Sequence, residues 1–545
     1  MRSHTFVVAV LTLGLVLRFA APSAGQQPAQ HDHPAPAGGL GAVHFETSCA
    51  PAARQEFDRG IALLHSFWFS AAIESFNTVL KADPRCVMAH WGIAMSWWGN
   101  PFAGVRAPQA LKAGLAAIDA ARASGGGTAR EHAYVDAVDA LFRDASTVDQ
   151  RTRTVAYEHA MAALADRYAD DVEARIFYAL ALDQTALPTD KTYANQLKAA
   201  AILEAEFARQ PEHPGLAHYI IHSFDAPALA ARGLDAARRY ARIAPDAAHA
   251  LHMPSHTFTR VGSWQESIDT NLASAAAARK DGAAAEELHA LDYLMYAYLQ
   301  TAQDAAARRT LEAIAPIAAK IATSGAGNAA PPAAGYYAVA AIPARYALER
   351  DAWAEAASLR PLEAPFAWAT AVTHFARALG AARSGNAAAA RRDVERLAAI
   401  RDELNRAGDG YWTEQTGIQQ RIATAWVTLA EGRPADAVML MREAADMEDA
   451  TDKSAVTPGP IKPARELLGD MLLQLNQPAE ALAAFEATLQ KEPNRFRALY
   501  GAARAATGAG DRQKASGYFA SLLQISSRAD EPGRQELAEA RNATR

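Results

Sequence analysis

A spacing of 34 residues recurs along the chain and constrains its fold more than any other feature. Ala481 and Phe485 are followed 34 residues later by Ala515 and Phe519, with a turn at Gly510-Asp511 between them. A period of this length fits one pair of antiparallel helices, whose apolar faces are covered only when further pairs stack on them. The spacing therefore predicts an all-α chain of stacked helix pairs.

Both ends of the chain carry the same order of glycine, alanine, phenylalanine and proline, with equal gaps. The order is Gly60, Ala72, Phe76 and Pro84 at one end, and Gly469, Ala481, Phe485 and Pro493 at the other. Together with weaker copies between them, these units resemble tetratricopeptide repeats over most of residues 50–525. The resemblance implies a tetratricopeptide-like α-solenoid of antiparallel helix pairs that binds a protein or peptide partner along its concave face.

Four segments carry a narrower resemblance. HYIIHSFD, HALHMPSHTFTRVGSW, LHALDYLMYAYLQ and MAHWGIAMSWWGNP are similar to segments of a group of exported bacterial tetratricopeptide proteins. The likeness implies a fold and an exported compartment, and it implies no reaction.

Composition shifts divide the chain into five parts. Residues 1–25 have a basic start, a short apolar run and small residues near Gly25, which predicts a cleaved signal peptide and a periplasmic or secreted protein. Residues 26–44 are predicted to be a disordered arm, and the Pro/Gly/Ala-rich residues 323–335 a linker. The linker separates an N-terminal helical array, 45–322, from a C-terminal array, 336–545.

Histidines cluster in the N-terminal array. Six of the sixteen histidines fall between residues 213 and 256. His218 and His222 are four residues apart, and so are His252 and His256, and the second pair follows the first at an offset of 34 residues. Because residues four apart share a helix face, two stacked helices would direct four imidazoles into one space.

Four converging imidazoles suit a divalent metal, with zinc or copper the best candidates. Further ligands, or the acceptors that orient the imidazoles, are predicted among residues that the repeat resemblance places on the same concave side. These residues are Asp225, His249, His289 and Asp292, and His213, which directly precedes Pro214, is a further candidate. Arg260 and Tyr296 are predicted to contact a bound ligand.

Two other interpretations of the histidines stay open: a metal-free polar pocket, and purely structural packing. Pro254 conflicts with a regular helix between His252 and His256, because proline breaks or kinks a helix interior. If a helix begins at Pro254 instead, the pair loses its four-residue geometry.

Three functions follow from these alternatives: a partner-binding solenoid with a metal site, a metal-dependent hydrolase or oxidoreductase, and a metal-free scaffold. The sequence has no HExxH, no G-x-S-x-G, no phosphate-binding loop and no CxxCH. A net charge of −6 gives no electrostatic case for nucleic acid, and no later stretch is long enough to span a bilayer. Whether the protein is an enzyme, and its oligomeric state, stay open at this level.

The chain has two cysteines, Cys49 and Cys86. In an oxidising compartment they could form one disulfide, and otherwise they would be buried thiols.

Overall fold

The computed structural model of the protein describes residues 39–321 and 327–544, together with Met1. Apart from Met1, the predicted signal peptide lies outside the described residues, as do residues 26–38 of the predicted arm and 323–326 of the predicted linker. Over the described residues the chain is helical and has no β-strand. The prediction of an all-α fold is confirmed.

The helices that precede residue 322 are α1 Arg54–His65, α2 Phe69–Ala82, α3 Val87–Trp98, α4 Pro108–Ala123, α5 Ala129–Phe142, α6 Gln150–Arg167, α7 Val172–Thr185, α8 Ala194–Phe207, α9 Pro214–Ser223, α10 Leu234–Ile243, α11 Ala248–His252, α12 Pro254–Arg260, α13 Trp264–Lys280, α14 Ala284–Gln300 and α15 Asp304–Ala318. Short 3-10 turns lie at Pro51–Ala53 and Ala230–Gly233.

The helices that follow residue 326 are α16 Pro332–Leu348, α17 Trp353–Ala357, α18 Ala367–Arg383, α19 Ala387–Arg406, α20 Gly410–Ala430, α21 Pro434–Asp449, α22 Ala464–Gln474, α23 Pro478–Lys491, α24 Phe496–Gly508, α25 Arg512–Ile525 and α26 Gln535–Ala543. Consecutive helices pack against one another along the chain, as expected of stacked helix pairs.

The glycine and phenylalanine positions of the repeat have a direct packing reason. A Cβ atom at Gly469 would lie 2.7 Å from the Phe485 ring, and one at Gly501 would lie 2.3 Å from it. Phe76 is held in the same way between Gly60 and Gly92, where the distances are 2.7 and 2.4 Å. The phenylalanine of one helix therefore fills space that only glycine leaves on the two flanking helices.

The end of the C-terminal array packs back against the N-terminal array. The Trp264 indole N–H donates to the backbone carbonyl of Asn494 (2.7 Å), and the Phe496 amide donates to the side chain of Gln300 (2.9 Å). α14 therefore lies between elements of both arrays.

A segment between α21 and α22, residues 450–463, lies against the loop that follows α9 and against α14; we call it the crossing segment. Its Lys453 forms an ion pair with Asp225 (3.0 Å), and the carbonyl of Thr457 accepts a hydrogen bond from Tyr293 (3.2 Å). Because the crossing segment covers this region, most of the histidines beneath it are buried rather than exposed in an open groove.

Two contacts attach the segment before α1, residues 39–53, to the helices. Cys49 and Cys86 form a disulfide with their Cα atoms 4.8 Å apart, joining the segment before α1 to the start of α3. The Ala42 amide donates to the carbonyl of Glu212 (2.9 Å). The end of the region predicted to be an arm thus lies against the helical body.

Among the described residues, every helix is too short or too polar to cross a lipid bilayer.

Candidate metal centre

Six histidines on neighbouring helices converge in one region of the N-terminal array. They are His218 and His222 on α9, His249 and His252 on α11, His256 on α12 and His289 on α14. Pro214 begins α9, where its missing N–H leaves no helical hydrogen bond unmade. Five of the six side chains are buried and His222 is partly buried.

Three of these residues form a first triad: His218, His222 and His249. The Nε2 atom of His218 lies 3.1 Å from Nε2 of His222 and 3.1 Å from Nε2 of His249. One ring nitrogen of each residue lies within 4.8 Å of the others, which is the arrangement of a group that could hold one metal ion.

The other three residues form a second triad: His252, His256 and His289. The Nε2 atoms of His252 and His256 are 3.1 Å apart, and the rings of His252 and His289 have centroids 4.4 Å apart. α11 ends at His252 and α12 begins at Pro254, but Met253 between them keeps a helical backbone (φ −54°, ψ −35°). The proline therefore divides the helix without separating the two imidazoles.

The two triads are adjacent. The ring centroids of His222 and His256 are 6.2 Å apart, and those of His249 and His252 are 6.1 Å apart. The four histidines expected to share one ion are thus distributed between two triads, and each pair gains one further histidine.

Hydrogen bonds fix the position of the proton on two histidines of the second triad, His252 and His256. His252 Nδ1 lies 2.7 Å from Asn271 Oδ1, and the Asn271 amide group donates to the Ser267 carbonyl, so Oδ1 is the acceptor for His252. His256 Nδ1 donates to Asp225 Oδ2 (2.8 Å). Both neutral imidazoles therefore carry their proton on Nδ1, and two Nε2 lone pairs face each other.

The first triad also contains an imidazole nitrogen that carries a lone pair and faces other histidines. His218 Nδ1 donates to the backbone carbonyl of His65 (2.6 Å), so its Nε2 also has a lone pair and no proton. That lone pair faces His222 and His249 at equal distances and cannot accept well from both. The Nδ1 atom of His249 is buried and has no hydrogen-bond partner among the described residues.

A charged network borders the second triad. Asp225 Oδ1 accepts from Arg260 (2.9 Å), and Oδ2 lies 3.0 Å from the Lys453 ammonium. Although burial opposes ionisation, Lys453 and Arg260 hold the pKa of Asp225 well below its usual range. Burial lowers the pKa of Lys453 to about 8. Asp225 is thus an ionised acceptor for His256, and its charge is already matched.

The imidazoles are held in their neutral form. Burial, followed by the neighbouring histidines, lowers the pKa of His218 and of His289 to about 3. Burial also lowers the pKa of each of the other four. Neutral imidazole is the form that binds metals.

A small cavity of ≈ 20 Å³ adjoins both triads. His222 and His249 of the first triad and His256 and His289 of the second lie on its wall. The remaining wall is mostly apolar and includes Phe102, whose ring stacks on His222 with centroids 4.1 Å apart. This volume holds one or two water-sized molecules.

His213, one of the predicted additional ligands, lies in a separate group. Its Nε2 and that of His65 each lie 3.0 Å from a different oxygen of Glu173. Although burial opposes ionisation, the two histidines lower the pKa of Glu173 to about 2. These three residues also lie close enough to hold a metal ion, but an ionised carboxylate with two imidazole donors is satisfied without one. We therefore interpret this group as a buried hydrogen-bond network.

Three further predicted site residues have other partners. Asp292 forms a fully buried ion pair with Arg345 (2.9 Å), and Tyr296 donates to Glu492 (2.9 Å). Arg260 binds Asp225 rather than facing open space. Of the predicted additional residues, His249 and His289 join the triads, while Asp225 supports His256 from behind.

Sequence reasoning missed Asn271, Tyr293 and Lys453. The Tyr293 hydroxyl lies 3.2 Å from His256 Nε2, and its single proton cannot satisfy both facing nitrogens of the second triad. Tyr293 follows His289 by four residues, which is a signal the sequence offered. Lys453 comes from a proline-rich loop far along the chain, where no local pattern points to the histidines.

The fold and the site define a tetratricopeptide-like helical-repeat protein with a buried cluster of six histidines. No protein-family model matches the chain, and no curated protein matches it in sequence. Among solved structures it is similar to the human IFIT1 dimer with m7Gppp-AAAA (12% identity, TM-score 0.39, covering 81% of this chain and 90% of that one). It is also similar to yeast Tom70, with 12% identity and a TM-score of 0.28, covering 90% of this chain and 95% of that one. A third similar structure is Cut9 in the APC/C hetero-tetramer Cut9-Hcn1, with 13% identity and a TM-score of 0.32, covering 90% of each chain.

Proposed function

We propose that this helical-repeat protein binds two transition-metal ions, one at each histidine triad. The observation that carries the proposal is the pair of Nε2 lone pairs on His252 and His256, which face each other at 3.1 Å. Two lone pairs at this distance repel, and a cation bound by both nitrogens removes the repulsion. Protonating one of the rings is opposed by burial and by Lys453 nearby.

The distances suit a metal ion. Two nitrogens bound about 2.0–2.1 Å from one tetrahedral zinc lie about 3.3 Å apart, close to the 3.1 Å separations within each triad. Nitrogen-only ligand sets favour zinc, copper, nickel or iron over calcium and magnesium, which prefer oxygen.

Outer hydrogen bonds support the same proposal. Three imidazoles donate through Nδ1 to oxygen acceptors: His218 to the His65 carbonyl, His252 to Asn271 and His256 to Asp225. Metal-binding histidines in proteins are commonly oriented in this way, which fixes the tautomer that presents Nε2 to the ion.

Three protein ligands with a free fourth position are typical of catalytic and ligand-binding metal sites, whereas structural zinc sites have four protein ligands. Each triad supplies three imidazoles, and two from each triad lie on the wall of the same cavity. This favours a metal-dependent enzyme or small-molecule carrier over a purely structural ion. A protein or peptide partner on a concave face also remains a proposal, and it rests on the repeat architecture alone.

We also propose that the protein works in the periplasm or outside the cell. Residues 1–25 have the composition of a signal peptide. The disulfide between Cys49 and Cys86 agrees with this compartment, because such bonds persist where thiols are oxidised.

Elemental analysis of protein purified without an affinity tag tests the metal proposal. After incubation with zinc or copper and dialysis, we expect about two ions per chain, each held by three imidazoles. His252→Ala and His218→Ala should each lose at least one. His132→Ala is the matched control, because this half-buried histidine binds the Gly126 carbonyl away from the triads and should change nothing. Wild-type protein that is folded by circular dichroism and retains neither metal would overturn the proposal.

A further inference from the structure

We propose that the two triads act as one dinuclear copper centre that binds dioxygen between its two ions. This inference rests on the proposed metal binding and adds the identity of the metal and of its small-molecule ligand. Four features carry it: the distance between the triads, the size of the cavity, the charge of the ligand set and the apolar wall.

The first feature is distance. Rings from different triads approach to 6.1 and 6.2 Å between His249 and His252 and between His222 and His256. Within the second triad, His256 and His289 are themselves 6.3 Å apart. The shortest ring spacings between the triads are thus close to the widest spacing inside the second triad, so ions held by the two triads would lie in a single site.

The second feature is the size of the space that both triads face. The cavity is ≈ 20 Å³, room for one or two water-sized atoms. Pockets for metabolites and peptides measure about 300–1,000 Å³. A ligand that reaches both ions without rearrangement of the helices therefore has only about two heavy atoms.

The third feature is charge. All six ligand side chains are neutral imidazoles, and no carboxylate is among them. Asp225, the acid beside the second triad, is already matched by Lys453 and Arg260. Two divalent zinc ions would add four uncompensated positive charges to a buried region, whereas two Cu(I) ions add two. The ligand set therefore favours copper in its monovalent state.

Charge also identifies the ligand. When dioxygen enters, each Cu(I) gives up one electron, and the oxygen molecule accepts both to become a peroxide dianion with its O–O bond retained. Two Cu(II) ions and one peroxide carry the same total charge of two as the two Cu(I) ions did. No proton, reductant or further oxidant is needed. Dioxygen thus lets the copper oxidise without adding net charge to the buried site.

The fourth feature is the wall of the cavity. Phe102 stacks on His222 with ring centroids 4.1 Å apart, and Ala329 and Pro331 lie on the same wall. Val456 of the crossing segment completes this side. An apolar wall limits entry of water, which would otherwise compete for the open positions of the ions.

The test loads the full-length protein with Cu(I) under anaerobic conditions and then admits oxygen. We expect about two copper ions per chain, one for each set of three imidazoles. About one dioxygen should be taken up per two copper ions, because each dioxygen accepts one electron from each of two Cu(I) ions. The oxygenated form should absorb in the near ultraviolet and be silent in electron paramagnetic resonance, because the spins of two bridged Cu(II) ions couple. The absorption should fall when oxygen is removed.

Variants keep the test decisive. His289→Ala and His252→Ala should each hold copper in the first triad and take up no oxygen, because one Cu(I) supplies one electron. His132→Ala should behave like the wild type. Protein that holds two copper ions but gives the resonance of two isolated Cu(II) ions, or that takes up no oxygen, overturns this inference and leaves the metal proposal standing. Protein that holds no metal overturns both.

Discussion

His252 and His256 face each other through Nε2 atoms 3.1 Å apart, while their Nδ1 protons are donated to Asn271 and Asp225. Without a cation between or beside them, two buried lone pairs are left in contact. If a metal ion binds this pair, the stability of the folded protein and its affinity for metal should depend on these residues, and both can be measured without an activity assay.

Metal removal should lower the stability of the folded protein. A metal that binds the folded state stabilises it by about 2.7 kcal/mol at a hundredfold excess over its dissociation constant. We expect the thermal midpoint at pH 7.5 to fall when a chelator is added, and to fall less in His252→Ala. Differential scanning calorimetry measures this, and equal midpoints with and without chelator for the metal-loaded wild type would contradict it.

Loss of the Asn271 acceptor should weaken the metal site without unfolding the protein. Asn271 orients His252 through a hydrogen bond of 2.7 Å. Removing such an outer partner typically weakens metal affinity by about 10–100-fold. We expect this loss in Asn271→Leu, measured by competition with a chromophoric chelator. Ser267→Ala is the control, since it removes a neighbouring hydroxyl that does not contact an imidazole; an equal loss there would refute a specific role for Asn271.

Asp292 should matter for stability and not for metal content. Its carboxylate and the Arg345 guanidinium are both fully buried and lie 2.9 Å apart. Breaking a buried ion pair by removing one partner destabilises a protein by about 3–5 kcal/mol. Asp292→Asn should therefore lower the free energy of unfolding in urea by a few kcal/mol. A loss of bound metal in the folded variant would instead restore Asp292 as a ligand.

The packing of glycine on phenylalanine predicts opposite effects of two alanine substitutions. In Gly501→Ala the new Cβ would lie 2.3 Å from Phe485, and overpacking of this kind destabilises by about 1–3 kcal/mol. In Gly517→Ala the Cβ meets no atom within 4 Å, and the better helix propensity should stabilise by about 0.5–1 kcal/mol. Thermal unfolding of both variants measures the contrast, and shifts of the same sign would count against this packing.

Glu286 should make stability fall as the pH rises. Burial raises the pKa of Glu286 to about 7, although its carboxylate accepts from the Ala330 amide (2.8 Å). Between about pH 4.5 and pH 7 the Glu286 carboxyl stays protonated in the folded state but ionises in the unfolded state. The free energy of unfolding therefore falls as the pH rises through this range. At most about 3 kcal/mol is involved.

The comparison of wild type with Glu286→Gln isolates this contribution. We expect the free energy of unfolding of the wild type to fall between pH 5 and pH 7.5 relative to that of the variant, with chelator present throughout. A difference between the two proteins that does not change with pH would show that Glu286 ionises as it does in the unfolded chain.

The sequence determined the class of fold because the repeat is a local property. The 34-residue spacing of Ala481 and Phe485 to Ala515 and Phe519 is confirmed as a stack of helix pairs, with the Phe485 ring pressed against Gly469 and Gly501. The helix period, the small residues and the prolines act over a few helical turns, so each can be recognised from the sequence alone.

The two histidine pairs could be predicted from the sequence for the same reason. His218 and His222 lie one turn apart on α9, and the 34-residue offset brings the next pair alongside. The structure alone decided that His249 joins the first pair and His289 the second. Those contacts depend on how α11 and α14 rotate and pack, which spacing does not specify.

Long-range packing decided the rest of the site. Lys453 binds Asp225, which is 228 residues earlier in the chain. Asp292 forms its ion pair with Arg345 and does not contribute to the triads. The crossing segment covers histidines that the repeat resemblance places on a concave face. Such contacts arise where the C-terminal array packs back on α14, and they depend on the summed curvature of many repeats rather than on any local pattern.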